Sequence, residues 1–475
     1  MVKVLRDEDL RKKFRLTGIP SLPLKSTGNI VNDNSLRVDW ESVVPKDKLS
    51  YIIGNPPFIG SRHFNDKNIN DRDYILGSNC QSSYKRLDYI CLFFLKAISY
   101  IQGTTVRVGF VTTDSITYGE YVNTFWNKLL TEKNLNCFLQ FAYKPFKWDS
   151  DSFDKAGVNV SILGLQSYKP DICILYDVDG FLVTGDNLNY YLKFAETCFI
   201  ERIKEQISGY SICHRADIVA DNKYLRYYDN VEDLPEWKQN YIKNFISARS
   251  FISRKKEYCY WLKDLDSDWW DEDIQERVQN VYLYRSKGAA TLQGRSNTPH
   301  LFSNKQELKK DIIIIPLSQS IKDHLITGYA DEDTYMDESI VYIKGDRYLY
   351  GILSSKLFQI WVSFVGGLQY GTIITTDPYA FNTFPIPKDI KDPELLKYSE
   401  LRHNLLFDKY KDVNLNKLLK DAIPSDVRDC LDKLDRTVYR IYGFIHDDGS
   451  LYSDDEVLSS LLNMYKERVD SLNHQ

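Results

Sequence analysis

Two prolines in succession end an early apolar run. Tyr51-Ile52-Ile53-Gly54 reads as a short buried strand, and Asn55-Pro56-Pro57-Phe58 follows it directly. Neither proline can donate to a strand ladder, and each forces the residue before it toward extended conformations. The chain must therefore leave the sheet as a stiff loop. In an open α/β sheet such a loop lies at the carboxyl edge, where ligands bind. It offers two acceptors, the Asn55 side-chain oxygen and the Pro56 carbonyl, and one stacking surface, the Phe58 ring. That set suits a flat base whose exocyclic amine must be held still.

The flanking pattern is α/β. Leu87, Ile90, Cys91, Phe94, Leu95, Ile98 and Ile101 recur at helical spacing, which predicts an amphipathic helix over about 85–102. Val106 to Thr113 reads as a strand and Glu120 to Leu130 as a helix. Phe138 to Ala142 and Val158 to Leu165 read as two more strands. Upstream, Gly28 to Leu36 reads as a strand and a polar turn, and residues 61 to 84 as a mobile loop over the site. This is the second half of a doubly wound sheet. Half a sheet leaves an edge exposed, so a partner chain is expected to complete it. No Gly-x-Gly cluster follows an early strand, and no acidic residue ends a following strand to hold a ribose. The expectation is a catalytic half without the half that holds a cofactor.

Past residue 240 the texture changes. Aromatic and basic residues interleave (Arg249, Phe251, Arg254, Lys255, Lys256, Tyr258, Tyr260, Trp261), and an acidic stretch from Asp264 to Glu276 follows. Ile312 to Pro316, Ser339 to Ile343 and Tyr348 to Ile352 read as strands. The last part is mainly helical, with Leu431, Leu434, Val438 and Ile441 on one face. The predicted fold is a partial Rossmann-like α/β sheet, then a mixed α+β region, then a helical carboxyl-terminal region. The expected divisions are a lead-in at 1–27 and domains at 28–205, 206–390 and 391–475.

Composition narrows the partners. A net charge of -5 gives no global pull toward polyanions, so any such contact must be local. Arg254, Lys255 and Lys256 are the best local phosphate-binding candidates, with Arg285, Lys287 and Arg295 next; a solvated charge run is the competing reading of each. No apolar run approaches a membrane span, and the start MVKVLRDEDLRKKFR is too polar for a signal peptide. A cytoplasmic protein that does not engage membranes is expected. The eight cysteines are scattered without a Cys-x-x-Cys, and Cys213-His214 lacks a second ligand pair, so reduced thiols and no metal are expected.

Taken in order, GNIVNDNSLRVDW, YIIGNPPFIGS, LDYICLFFLKAISYIQGTTVRVGFVTTDSITYGE and FKWDSDSFDKAGVNVSILGL resemble the N6-adenine DNA methyltransferase core of the MmeI-like restriction-modification enzymes. FISARSFISRKKEYCYWLKD, RSKGAATLQGRSNTPHLF and YAFNTFPIP resemble that family's target-recognition region, and LDKLDRTVYRIYGF its carboxyl-terminal domain. The match is collinear from about residue 28 to the end. The stretch GGLQYGTIITTDPYAFNTFP carries no basic residue where the family usually does.

The resemblance implies methyl transfer from S-adenosylmethionine to N6 of a flipped adenine in double-stranded DNA. It implies Asn55 and Pro56 as acceptors for the amine, Pro57 as the fixed turn and Phe58 as the stacking ring. Phe146 is implied as a second stacking partner and Asn34 as a polar group near the adenine edge. Core packing explains Phe146 equally well, and a turn explains Asn34. Asp88 reads as a helix-end partner, and Asp114 and Glu120 as caps. The expected protein is the carboxyl-terminal subunit of a split enzyme. A separate amino-terminal polypeptide, with or without a nuclease, would share the binding of S-adenosylmethionine. The alternative is an inactive DNA-binding specificity subunit or remnant. A third reading, methylation of a glutamine amide in protein, shares the loop but leaves the region after residue 240 without a task.

Overall fold

The computed structural model describes residues 30–147, 159–177, 179–203, 205–216, 219–263, 265–302, 310–320, 324–330, 334–366, 368–369, 373–375 and 378–473. The lead-in at 1–27 and part of the stretch from 366 to 381 lie outside these residues. The chain divides into two compact units. The first comprises Met1–Phe110, Asn134–Phe138 and Gly164–Lys169; the second comprises Val111–Lys133, Leu139–Leu163 and Pro170–Gln475.

Six strands form the first sheet: β1 (Tyr51–Gly54), β2 (Arg107–Thr113), β3 (Phe138–Lys147), β4 (Asn159–Gln166), β5 (Cys173–Tyr176) and β6 (Leu182–Gly185). Their order is β1-β2-β4-β3-β5-β6, so β1 is an edge. β1 and β2 run parallel, with Tyr51 opposite Arg107 and Gly54 opposite Phe110. β5 runs parallel to β3, and β6 closes the other edge antiparallel to β5. Two neighbours explain why β1 ends in glycine. A Cβ on Gly54 would sit 3.2 Å from the Phe110 ring, which itself packs edge-on against Phe94 at 5.2 Å.

The predicted helix spans Ile90–Ile101 and buries Ile90, Cys91, Phe94, Leu95, Ile98 and Ile101, the expected stripe. The helix expected from Glu120 is present as a continuous run through Gly119–Tyr121, Val122–Leu129 and Leu130–Glu132, with a π-helical middle. Gly119 starts it at φ +58, where a Cβ would meet the Val365 carbonyl at 3.1 Å.

Three local expectations are corrected. The described residues from Ile30 to Leu36 form no strand; only the turn is present, with Arg37 and Val38 amides donating to the Asn34 carbonyl. Residues 61 to 84 are not a loop, because Asp66–Leu76 is a helix. Its signals are polar ones: Asn65 and Asn68 form a reciprocal capping box, and Gly77 ends it at φ +91. Tyr348 to Ile352 is helical, within Arg347–Leu353. A short apolar run carries no decisive period, and here the Asp346 carboxylate caps the Leu349 amide and sets the helix. β5 and β6, four residues each, were not read from sequence.

Two more four-stranded sheets belong to the second unit. β14 (Thr334–Met336), β9 (Ile242–Ile246), β10 (Glu257–Tyr260) and β8 (Arg226–Tyr227) form one; β13 (Gly328–Ala330), β11 (Ile312–Pro316), β15 (Ile340–Lys344) and β7 (His214–Arg215) form the other. β12 (Ser318–Ser320), β17 (Ile373–Thr375) and β16 (Leu368–Gln369) make a small third. The helix Glu272–Ser286 covers the first of these sheets, burying Ile274, Val278 and Val281 with Leu225, Tyr260 and Leu262. The first part of the helical tail shares its core with these sheets. Leu405, Leu406, Leu418, Leu419 and Leu431 share one hydrophobic cluster with Ile312, Ile314, Met336 and Ile340. Leu431, Leu434 and Val438 are buried along the helix Ser425–Tyr442. All eight cysteines are free.

Candidate functional site

The Asn55–Phe58 loop is held at both ends and open in the middle. β1 delivers it from the sheet. Beyond it, the Tyr89 amide donates to the Ile59 carbonyl at 2.9 Å, and the Ser61 hydroxyl donates to the Arg86 carbonyl at 2.9 Å. The Ser61 amide reaches Asp88 Oδ1 at 3.4 Å, so Asp88 serves the loop's anchor. Pro56 is buried, while Asn55 and Pro57 are exposed. Within the described chain the Asn55 amide and the Pro56 carbonyl make no hydrogen bond, and the half-buried Phe58 ring pairs with no other ring. Two unengaged acceptors and one unstacked ring thus sit on a loop whose backbone is fixed by two prolines. Such a loop can receive both hydrogens of an exocyclic amine without rearranging first.

Asn34 is in the same unit but is fully engaged elsewhere. Its Nδ2 donates to both Asp71 oxygens at 3.0 Å, and its Oδ1 accepts from the Leu36 amide. Asp71 also accepts from Arg37 Nε and the Tyr89 hydroxyl, each at 2.7 Å. Burial works to raise the Asp71 pKa, but the bonds from Tyr89, Arg37 and Asn34 outweigh it and hold the carboxyl below its usual range. Burial and the Asp71 charge push the Tyr89 hydroxyl up to about 12. This network joins the turn at Asn34 to the two helices beside the loop. Asp71 carries little signal in the sequence, because the helix that holds it is polar and lacks an apolar stripe. Asn34 therefore acts here as the turn residue of its competing reading.

Phe146 lies in the second unit, near the end of β3, half-buried and not without a partner. Asp114 opens the turn after β2; burial lifts its pKa to about 6, and its Oδ2 is buried without a hydrogen bond. Glu120 pairs with Arg202.

The six cationic candidates, all in the second unit, separate into two kinds. Lys255, Lys256 and Lys287 are exposed. Lys255 and Lys256 rim an open cavity of about 420 Å³, also lined by Asn244, Ser250, Tyr258 and Thr334. Arg254, at φ +63 after the helix Ala248–Ser253, turns back into the protein. Its guanidinium lies over Phe407 at 4.4 Å, and its Nη2 donates to the Leu406 carbonyl. Arg285 is 0% exposed and donates to the carbonyls of Ala220, Arg295, Thr298, Val219 and Leu301. It clamps two irregular segments and cannot reach a phosphate, which corrects the expectation for it. Arg295 is half-buried, and its carbonyl is one of those Arg285 holds. The NTFP motif is also structural: Asn382 Oδ1 accepts from the Cys213 amide, and Thr383 and Phe384 are fully buried.

Among the described residues no group of three His, Cys, Asp or Glu side chains could hold a metal ion, and no helix is long and apolar enough to cross a membrane.

Comparisons with known proteins agree with this layout. The model of the MmeI DNA-methyltransferase domain matches residues 2–177, and that of the MmeI target recognition domain matches residues 195–388. DNA methyltransferase A of Bacillus subtilis (strain 168) is 29% identical over 488 residues, covering 98% of this chain and 53% of its own length. The chain thus spans about half the length of this curated relative. The type IIL restriction-modification enzyme MmeI, solved in complex with DNA, superposes with a TM-score of 0.81 at 24% identity, over 97% of this chain and 63% of its own. That likeness establishes a shared fold.

Proposed function

We infer that this chain, MmeI-like by its two matched domains, methylates N6 of adenine in a short DNA sequence as part of a restriction-modification system. The observation that carries the reading is the pair of unengaged acceptors, Asn55 Oδ1 and the Pro56 carbonyl, beside the unstacked Phe58 ring. An adenine within a duplex cannot reach such a loop and must flip out of the stack. Its N6 lone pair is then still conjugated with the ring and weakly nucleophilic. Accepting both N6 hydrogens draws the amine toward tetrahedral geometry and frees the lone pair. Pro57 holds the turn and Phe58 stacks on the base. No strong base is needed, because the proton leaves N6 after the methyl group is attached.

The methyl donor in this reading is S-adenosylmethionine, as a co-substrate. The described residues contain no glycine-rich turn between a strand and a helix, which supports a donor site shared with a second polypeptide. β1 is the sheet edge, with Tyr51 60% and Ile53 82% exposed. We assign that edge to a partner polypeptide that contributes the donor site. Lys255, Lys256 and Lys287 are the proposed phosphate contacts of the target recognition domain.

The test is calorimetry of S-adenosylmethionine on the chain alone and with a polypeptide bearing the glycine-rich half, followed by methyl transfer to adenine-containing DNA. Binding and transfer only in the mixture support the split enzyme. Asn55→Ala should then cut transfer on the order of 10²-fold while DNA binding persists. The exposed edge also fits a DNA-binding remnant; absence of donor binding in both samples would establish that second reading.

A further inference from the structure

Four cationic or titratable side chains converge in the second unit without a carboxylate among them. Arg254 follows the helix Ala248–Ser253, Arg347 begins the helix Arg347–Leu353, and Arg402 and His403 lie near the end of the helix Pro393–Asn404. They are laid on one aromatic floor. Arg347 lies over Tyr329 at 4.3 Å and Arg402 over Tyr350 at 5.3 Å, while Arg254 lies over Phe407. His403 stacks on Phe407 at 4.9 Å and meets Tyr329 and Tyr350 edge-on.

What the cluster lacks is an anion. Among the described residues, none of the three arginines forms an ion pair. The acidic groups that face the cluster (Asp408, Asp412, Asp346 and Asp311) are all exposed. Four buried nitrogens have no hydrogen-bond partner: Arg254 Nε, Arg347 Nη1, Arg402 Nε and His403 Nδ1. They are a third of all such orphaned atoms among the described residues, gathered in one place. Arg402 is 1% exposed, and its Nη1 and Nη2 donate to the Thr327 and Leu325 carbonyls and the Tyr350 hydroxyl, so its charge meets neutral acceptors and no anion. Aromatic faces and neutral acceptors offset part of the cost of that burial, but neither supplies a counter-charge. Burial and the surrounding arginines press the His403 imidazole down to about 4, with Asp408 opposing them.

We propose that Arg254, Arg347 and His403, with the buried charge of Arg402 behind them, form a binding site for an oxyanion, and that its occupant is a phosphodiester of bound nucleic acid. Guanidinium forks match phosphate oxygens two at a time. Arg254 and Arg347 are half-buried rather than sealed, so the site keeps contact with solvent. Arg254 is continuous in sequence with the exposed Lys255 and Lys256, and all three line the 420 Å³ cavity, so the cluster extends an existing cationic rim. The inference rests on the nucleic-acid part of the proposed function and adds a contact that phosphate spacing in sequence did not reveal.

The test uses the full chain and a duplex it binds. Each phosphate contact contributes about 0.9 to the slope of log K against log salt. Arg347→Gln should flatten that slope by about one, and Arg347→Lys should restore most of it. An unchanged slope in a well-folded Arg347→Gln protein overturns the site while leaving methyl transfer, and hence the proposed function, intact. Should Arg347→Gln fail to fold, the His403 imidazole resonance of the unmodified protein decides. A shift on adding duplex, absent with the same concentration of inorganic phosphate, supports the phosphodiester. A shift with phosphate but not duplex makes it a free-anion site and overturns the nucleic-acid claim, and no shift with either overturns both. A chain that binds no duplex at all sinks this site and the functional reading together.

Discussion

Replacing Arg285 with methionine separates a structural arginine from a DNA contact. The side chain is fully buried and donates at 2.9 Å to Ala220, 3.1 Å to Arg295, 2.8 Å to Thr298 and 2.8 Å to Leu301, with a longer 3.5 Å approach to Val219. The last is too long to count for much. Four good bonds remain, each from a charged donor and so each about 1.5–3 kcal/mol. The sum is not the expected loss. Methionine also relieves the desolvation of the guanidinium, whose pKa burial already lowers, and freed carbonyls can find water. Breaking a buried charged network while leaving its partners in place typically costs about 3–5 kcal/mol. We expect that range for Arg285→Met in urea unfolding followed by tryptophan fluorescence, and a smaller loss for Arg285→Lys, whose point charge cannot span both segments. At low urea the folded variant should bind DNA with an unchanged salt slope. A loss below about 1 kcal/mol together with a slope flattened by about one would refute the reasoning and return Arg285 to the DNA interface.

Three further outcomes are expected. Asp114 has a folded pKa raised to about 6 by burial, so the folded state binds its proton more tightly than the unfolded chain does, and stability falls as pH rises from about 4 to 6. Asp114→Asn removes that term: urea midpoints should show a gain of up to about 3 kcal/mol above pH 6 and none below pH 4. Gly351→Ala should destabilise by about 1–3 kcal/mol despite alanine's better helix propensity, because the new Cβ would overlap the Ser399 hydroxyl and lie 2.8 Å from Leu395 Cδ1; Ser399→Ala in the same chain should recover part of the loss in a thermal melt. Lys255→Gln and Lys256→Gln should each flatten the DNA-binding salt slope by about 0.9 without moving the melting temperature, since both side chains are exposed.

The Asn55–Phe58 loop was legible because its signals are covalent and local. Proline geometry is the same in any context, and the apolar run before it could only be a short strand. The helix Ile90–Ile101 was legible because twelve residues carry more than three turns of period. The helix Asp66–Leu76 was missed for the opposite reason: its sequence is polar, and its start is set by reciprocal asparagine bonds rather than by an apolar stripe. Tyr348 to Ile352 failed because five apolar residues satisfy a strand and a helix alike, and a single carboxylate cap decided between them.

Charge was the least legible property. Arg254, Lys255 and Lys256 are consecutive and chemically similar, yet two face solvent and one lies over Phe407, a residue 153 positions away along the chain. Arg285 and Lys287 are two residues apart, and one is buried while the other is exposed. The amino-acid sequence by itself determined the turn out of β1 at Asn55–Phe58, the helix Ile90–Ile101 and the strands β2 to β4, because these depend on local dihedrals and short-range periodicity. Only the tertiary structure decided which polar groups are already engaged. It ties Asn34 to Asp71, Arg285 to five carbonyls and Arg402 to an aromatic floor, and it leaves Asn55 and Pro56 open. A side chain's capacity for hydrogen bonds is written in its chemistry, but its partners come from segments brought together by burying a shared core.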